Sequence, residues 1–156
     1  MQNAKIYKLR HEFSLKDLGA LHYFLGIEAC KHSHSLLLSQ RKYILDLLRK
    51  SGLLLAKPVQ TPFATTTKLT SAIGTPMKDP SRYRMVVGSL QYLTYTRPDI
   101  SFSVNRVSQF MHSPTKDHWR AVKRILRYLK DTSHYGLFLH PTSFTHLQAH
   151  FDADLS

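Results

Sequence analysis

The sequence is short of several things, and each shortage narrows the reading. It has one cysteine, Cys30, which excludes an internal disulfide framework and a cysteine-only zinc site and suits a reducing compartment. The thiol reads as a small buried hydrophobe rather than a nucleophile. Acids are scarce: 10 Asp and Glu stand against 22 Lys and Arg, a formal net charge of +12. Charge of that sign and size says nothing about fold, but it favours polyanionic partners, nucleic acid or an anionic membrane surface. No apolar run is long enough to cross a bilayer, and the opening Met1-Gln2-Asn3-Ala4-Lys5 lacks the charged-then-apolar order of a secretory signal. A soluble, unsecreted protein is expected, cytoplasmic or nuclear, with an organellar origin open and no membrane partner. Internal repeats, a glycine-rich phosphate loop and a nucleophile triad are all missing from view. What is there is enough to fold: 156 residues with 42% apolar content can build a core.

Residues Leu21 to Glu28 and Ser35 to Ser39 flank the polar stretch Lys31-His32-Ser33-His34, a pattern that predicts a β-hairpin. Ser39 is placed to cap a helix running to Lys50, with Tyr43, Ile44, Leu47 and Leu48 on one face and Gly52 as a stop. From Lys57 to Lys78 the chain is rich in Pro, Thr and Gly and has no period, so it reads as a long exposed, flexible linker. Asp79-Pro80 opens the next helix with an N-cap followed by proline at the first helical position. Pro98 ends it, a further segment reaches about Met111, and Pro114-Thr115 caps a last helix to about Asp131. The tail alternates as strands do, at Leu137 and Leu139 and again at Leu147, Ala149 and Phe151. The expected class is α+β, in four parts: a hairpin with its helix over 1–56, the linker over 57–78, a helical bundle over 79–132 and a two-stranded start of a further region over 133–156.

Two helix faces attract attention. In the helix from Asp79, Tyr83, Val86, Val87, Leu90 and Leu93 share the apolar side, and Arg84, Gly88, Gln91, Tyr92 and Tyr95 the other. A mid-helix glycine costs about 1 kcal/mol against alanine, so Gly88 either lets a nucleic-acid groove approach the backbone or packs against another helix; periodicity leaves both open. The last helix carries Lys116, Arg120, Lys123, Arg127 and Lys130 in one stripe with Arg124 beside it, opposite Trp119, Val122, Ile125, Leu126 and Leu129. Asp117 and Asp131 are too few to neutralise that stripe, which favours phosphate contact over a merely solvated face. The ten histidines, with His32 and His34 in a turn and His134, His140, His146 and His150 scattered, show no helical i, i+4 pair and read as surface residues. Asp152 and Asp154 could hold Mg²⁺, but two-metal chemistry needs more acids than follow them.

An ordered series of blocks then carries a family resemblance. Phe13-Ser14-Leu15-Lys16-Asp17-Leu18-Gly19, Leu21-His22-Tyr23-Phe24-Leu25-Gly26-Ile27-Glu28, Leu38-Ser39-Gln40, Lys57-Pro58-Val59, Val87-Gly88-Ser89-Leu90-Gln91-Tyr92-Leu93-Thr94, Thr96-Arg97-Pro98-Asp99-Ile100, Ser108-Gln109-Phe110-Met111 and Leu126-Arg127-Tyr128-Leu129-Lys130 resemble, in order, the copia-type retrotransposon reverse transcriptases, from just after the catalytic aspartate pair through the thumb to the first RNase H strand. The resemblance suggests a plant source. It implies that Phe24, Leu25, Gly26, Ile27 and Glu28 form a primer-grip-like hairpin remnant of the palm. The helix of Arg84, Gly88 and Tyr92 would be a thumb helix tracking the template-primer, with the basic helix further along the same duplex, so that hairpin and helices make one clamp. Asp152 would match the first RNase H metal carboxylate. No Tyr-x-Asp-Asp occurs, so the isolated chain is expected to have no cofactor and no polymerase or nuclease activity, whereas the intact parent enzyme uses Mg²⁺. Its partners would be an RNA–DNA hybrid or duplex and the rest of the polyprotein. The alternatives are a host protein retained for non-specific nucleic-acid binding and an inert product of a decayed element.

Overall fold

A computed structural model describes Phe13 and residues 22–64, 69–70 and 74–141. Strands β1 (Tyr23–Phe24), β2 (Ile27–His32) and β3 (Ser35–Ser39) come first, then helices α1 (Arg41–Lys50) and α2 (Pro80–Leu93), a 3-10 turn (Pro98–Ile100), α3 (Ser101–Ser108), α4 (Lys116–Asp131) and finally β4 (Gly136–Leu139). The class is α+β: among the described residues a four-stranded antiparallel sheet in the order β1-β2-β3-β4 stands with four α-helices.

The sheet departs from the sequence reading at two places. The stretch read as one strand from Leu21 to Glu28 folds back on itself, because Phe24 pairs with Ile27 across a two-residue turn. Leu25 and Gly26 both have positive φ, 48° and 80°, the signature of a tight hairpin turn. Glycine adopts that conformation freely, but for Leu25 it costs roughly 1 kcal/mol. The second departure is β4, expected to open a separate region. It pairs with β3 instead, Leu38 opposite Leu137 and Ser39 opposite Gly136, and so covers an edge of the hairpin that was expected to stand open. The second expected C-terminal strand, with Asp152, lies outside the described residues. The turn between β2 and β3 falls at Ser33–His34, within the polar stretch that signalled it. Cys30 is a correction: alternation along β2 buries Ala29 and turns the thiol outward, so it is exposed rather than buried.

The helices follow their local signals closely. Asp79 accepts the Arg82 N–H at 3.1 Å with Pro80 behind it. Gly52, at φ 70°, closes α1 with paired bonds from Leu53 N to Leu48 O and from Gly52 N to Arg49 O. At the other end of α1 the cap position is Gln40, whose side chain makes no capping bond, and it is the Ser39 hydroxyl at the end of β3 that accepts the Arg41 N–H, at 3.3 Å. Tyr83, Val86, Val87, Leu90 and Leu93 of α2 meet Val122, Ile125, Leu126 and Leu129 of α4 in one core, with Ile44, Leu47 and Leu48 of α1 and Val104 and Val107 of α3. Trp119 is only partly buried at its rim, with Arg82 over its ring at 5.3 Å.

The breaker-rich stretch after α1 contains no helix or strand among its described residues, yet it is not free of the bundle. Phe63 and Met77 pack against the core and Leu69 is buried in it. Met77 N donates to Pro114 O and Lys116 N to Thr75 O, at 3.0 and 2.9 Å. Nor are all histidines at the surface. His118 is buried, stacked on Phe110 at 3.9 Å between centroids, with Nδ1 accepting the Thr115 N–H at 3.0 Å and Nε2 3.1 Å from Thr70 O. A third residue of a helix that reaches back to its own cap in this way stands where Glu or Gln is usual.

Candidate nucleic-acid interface

Helix α2 turns its apolar residues into the core, which leaves Arg84, Gly88, Gln91, Tyr92 and Tyr95 on the outer side. Arg84 is tethered loosely, Nη1 to Met111 O and Nη2 to Ser81 Oγ, both at 3.4 Å, and Gln91 donates to Ser108 Oγ at 3.2 Å. Where a Cβ would project from Gly88 there is nothing within 4 Å. Of the two sequence readings of Gly88, packing against another helix is therefore not realised among the described residues, and none of their atoms fills the space where a side chain would begin on this half-buried glycine.

The tip of the β1–β2 hairpin docks at the C-terminal end of this face. The Tyr92 hydroxyl donates to the Leu25 carbonyl, which holds the strained turn in place. Tyr43 and Tyr95 meet Tyr92 edge-on at 5.3 and 5.9 Å, and Gly26 lies against the rings of Tyr43 and Tyr92. Phe24 and Leu25 are exposed beside them, as is Tyr95. Glu28 is engaged elsewhere, where its carboxylate accepts the Lys42 N–H at 3.1 Å and so satisfies a free donor in the first turn of α1. Residues 24–26 and the C-terminal end of the outer face of α2 are thus brought together as one surface of aromatic rings and exposed apolar side chains.

The basic stripe of α4 makes other contacts. Lys116, Arg120, Lys123, Arg124, Arg127 and Lys130 lie away from the buried residues of α4, and among the described residues no hydrogen bond or ion pair joins them to Arg84, Gln91 or Tyr92. Several of these cations also have partners. Arg124 donates to Thr61 Oγ1 at 2.7 Å, Arg127 Nε to Lys57 O at 2.6 Å and Lys130 to Ala56 O at 2.7 Å, and Arg120 pairs with Asp117 at 2.6 Å. The two sets of residues expected to form one clamp thus make their hydrogen bonds with different parts of the chain among the described residues. Among the described residues no group of three His, Cys, Asp or Glu side chains is placed to hold a metal ion.

Sequence reasoning missed one polar cluster altogether. Arg97, 1% exposed, grips both oxygens of Asp99, from Nε at 2.9 Å and Nη2 at 2.7 Å, and reaches Thr132 at the end of α4 through its carbonyl and hydroxyl, at 2.8 and 2.7 Å. The Tyr128 hydroxyl donates to Asp99 at 2.8 Å, and the guanidinium lies over the rings of Tyr128 and Tyr135. Burial by itself would raise the Asp99 carboxyl, but hydrogen bonds from Arg97 and Tyr128 and the Arg97 charge together hold it below the usual carboxylate range. Tyr128 is pushed the other way, by burial and by the carboxylate it serves. A signal existed in the sequence: Asp99 is the only acid between Pro80 and Lys116, two residues from an arginine.

No helix among the described residues is long and apolar enough to cross a membrane. No family model matches the chain, and no solved structure does. Curated proteins do. The chain is 56% identical over 146 residues to the retrovirus-related Pol polyprotein from transposon RE2 of Arabidopsis thaliana, a match covering 94% of this chain and 10% of that protein. It is 48% identical over 153 residues to an uncharacterized mitochondrial protein of the same plant, 97% of this chain and 63% of the relative. A Pol polyprotein from transposon TNT 1-94 of Nicotiana tabacum is 42% identical over 136 residues, 80% of this chain and 10% of that one. The chain thus spans about a tenth of the length of the Pol polyproteins it matches. Over nearly its whole length, then, this chain is homologous to one segment of copia-type retrotransposon Pol polyproteins.

Proposed function

We propose that the chain is the template-primer-binding portion of a copia-type RNA-directed DNA polymerase, and that the surface shared by the β1–β2 hairpin and α2 is what touches nucleic acid. The observation that carries this reading is the pairing of an uncovered Gly88 with a hairpin tip held against Tyr92 on the same face. A glycine in mid-helix with open space above it lowers helix stability for no internal gain, and the strained Leu25 turn is a second local cost on the same surface. Both make sense if a bulky, groove-bearing ligand approaches here, with rings available for sugar and base contact and Arg84 for phosphate. Polymerisation is not part of the proposal, since no Tyr-x-Asp-Asp is present in the 156 residues; primer extension on an RNA template by the purified chain would overturn that.

Gel-shift titration of the full chain against an RNA–DNA hybrid, duplex DNA and single strands at two salt concentrations tests the reading. Hybrid preference is expected. Equal affinity for all three would favour a non-specific binding protein, and no complex at moderate salt an inert product. Substitution at Gly88 separates binding from folding. Gly88→Ala should stabilise the fold by about 1 kcal/mol, because the added methyl meets open space. Gly88→Leu should fold equally well yet weaken hybrid binding by roughly tenfold or more, a loss of ~1.4 kcal/mol. Unchanged affinity in Gly88→Leu would remove α2 from the interface.

A further inference from the structure

Between α4 and the residues following α1 lies an open-mouthed cleft of about 360 Å³. Its walls carry Lys57, Arg120, Lys123, Arg124 and Arg127 and no acidic side chain. The way the chain is held creates it. Arg127 and Lys130 donate to the main-chain oxygens of Lys57 and Ala56 while Arg124 holds the Thr61 hydroxyl, drawing residues 56–61 over the helix.

Arg124 and Arg127 each commit one donor to that hold, and a guanidinium has five N–H groups, so most of their hydrogen-bonding capacity is left over. The Arg124 Nε is buried and has no hydrogen-bond partner among the described residues. Among those residues, Arg120 is the one wall cation with an ion-pair partner, Asp117. An unmet buried donor is unfavourable, and so is a ring of like charges around a small volume. One guest relieves both: a compact anion with several acceptor oxygens.

We propose that this cleft is a phosphate-binding site, taking a phosphate or pyrophosphate group rather than a single carboxylate, whose two oxygens offer too few acceptor positions for the forks and ammonium groups around it. The same chemistry is presented by a small polyphosphate and by the backbone of a nucleic-acid strand. The site stands apart from the α2 surface and does not depend on its role. It narrows the expected phosphate track along α4 to one cleft, because half of the stripe is occupied in holding residues 56–61.

The test uses the full chain and two probes, inorganic pyrophosphate and a single-stranded oligonucleotide, with ionic strength held constant by chloride. Thermal unfolding should shift upward with pyrophosphate concentration, as binding to the folded state requires. Lys57→Gln with Lys123→Gln should weaken the affinity by roughly tenfold or more (~1.4 kcal/mol), and since neither side chain makes a hydrogen bond among the described residues, the double variant should keep its fold. Lys78→Gln, at an exposed cation away from the cleft walls, should bind pyrophosphate as the parent does. If the double variant loses affinity for the oligonucleotide as well, the phosphate comes from a strand; if for pyrophosphate alone, from a small molecule. Either loss supports the site. No rise in unfolding temperature with either probe, or a double variant that binds both like the parent, overturns it.

Discussion

Arg97→Leu is expected to lower the unfolding free energy by about 2 to 3 kcal/mol, less than the loss for a fully buried ion pair because Asp99 keeps 38% of its side chain exposed and water screens the carboxylate left behind. The substitution would strip Asp99 of its bidentate partner and remove the guanidinium bonds to the Thr132 carbonyl and hydroxyl, leaving that carbonyl only the Tyr135 N–H, at the point where the α2–α3 corner meets the end of α4. Urea unfolding at neutral pH measures the loss. Arg97→Lys serves as the milder variant should Arg97→Leu fail to fold: it keeps the charge but cannot span Asp99 and Thr132 together, so it should still be clearly destabilised. A change below about 0.5 kcal/mol in either, the range typical of ordinary surface substitutions, would mean the cluster does not hold the corner. The pH dependence follows from Asp99. Its carboxyl is held lower in the folded chain than in the unfolded one, so the stability it contributes is complete above the unfolded value, near 3.9, and drains away as pH falls through that value toward the lower folded one. Asp99→Asn lacks this limb. The gap in unfolding free energy between parent and Asp99→Asn should be wide at pH 7 and narrower at pH 3; a gap that stays constant would contradict the assignment.

The second large effect is expected at Gly136. A Cβ built there would collide with the Leu38 carbonyl oxygen and stand 2.9 Å from a Leu37 methyl, and the first of these is main chain and cannot swing aside. Gly136→Ala should therefore push β4 off β3 and destabilise the chain by ~1–3 kcal/mol, as overpacking does. Amide hydrogen exchange localises it. Protection along Leu36–Leu38 should fall while that of Val122 and Ile125 in α4 stays as it was, because the helical core is built without β4. Loss of protection throughout would show instead that sheet and bundle unfold together.

The helices were legible in the sequence because their signals are local. Asp79 with Pro80, Gly52 beyond α1 and the spacing of Tyr83, Val86, Val87, Leu90 and Leu93 each act within a few residues of where they are read. The sheet was legible only in part. A run such as Leu21 to Glu28 looks continuous until Gly26 and Leu25 turn back, and short strands carry too little pattern to announce a partner a hundred residues away. The polar features misread share a cause. Arg97 is buried because Thr132 and Tyr128 reach it from another helix, and Arg127 is engaged because Lys57 offers a carbonyl; neither meeting is written into the spacing of either segment. The α2 face was found as a set of residues, but its union with the hairpin through Tyr92 and Leu25 came only from the fold.

Because α4 takes hold of residues 56 and 57 by their peptide oxygens, the grip is indifferent to which side chains those positions carry. Every amino acid, proline included, presents the same carbonyl. Mutational drift at 56 and 57 can therefore recolour the mouth of the cleft, in charge or in bulk, while its architecture stays put; what the grip does not forgive is a change in the number of residues between Gly52 and Thr61, which would slide the oxygens out of reach.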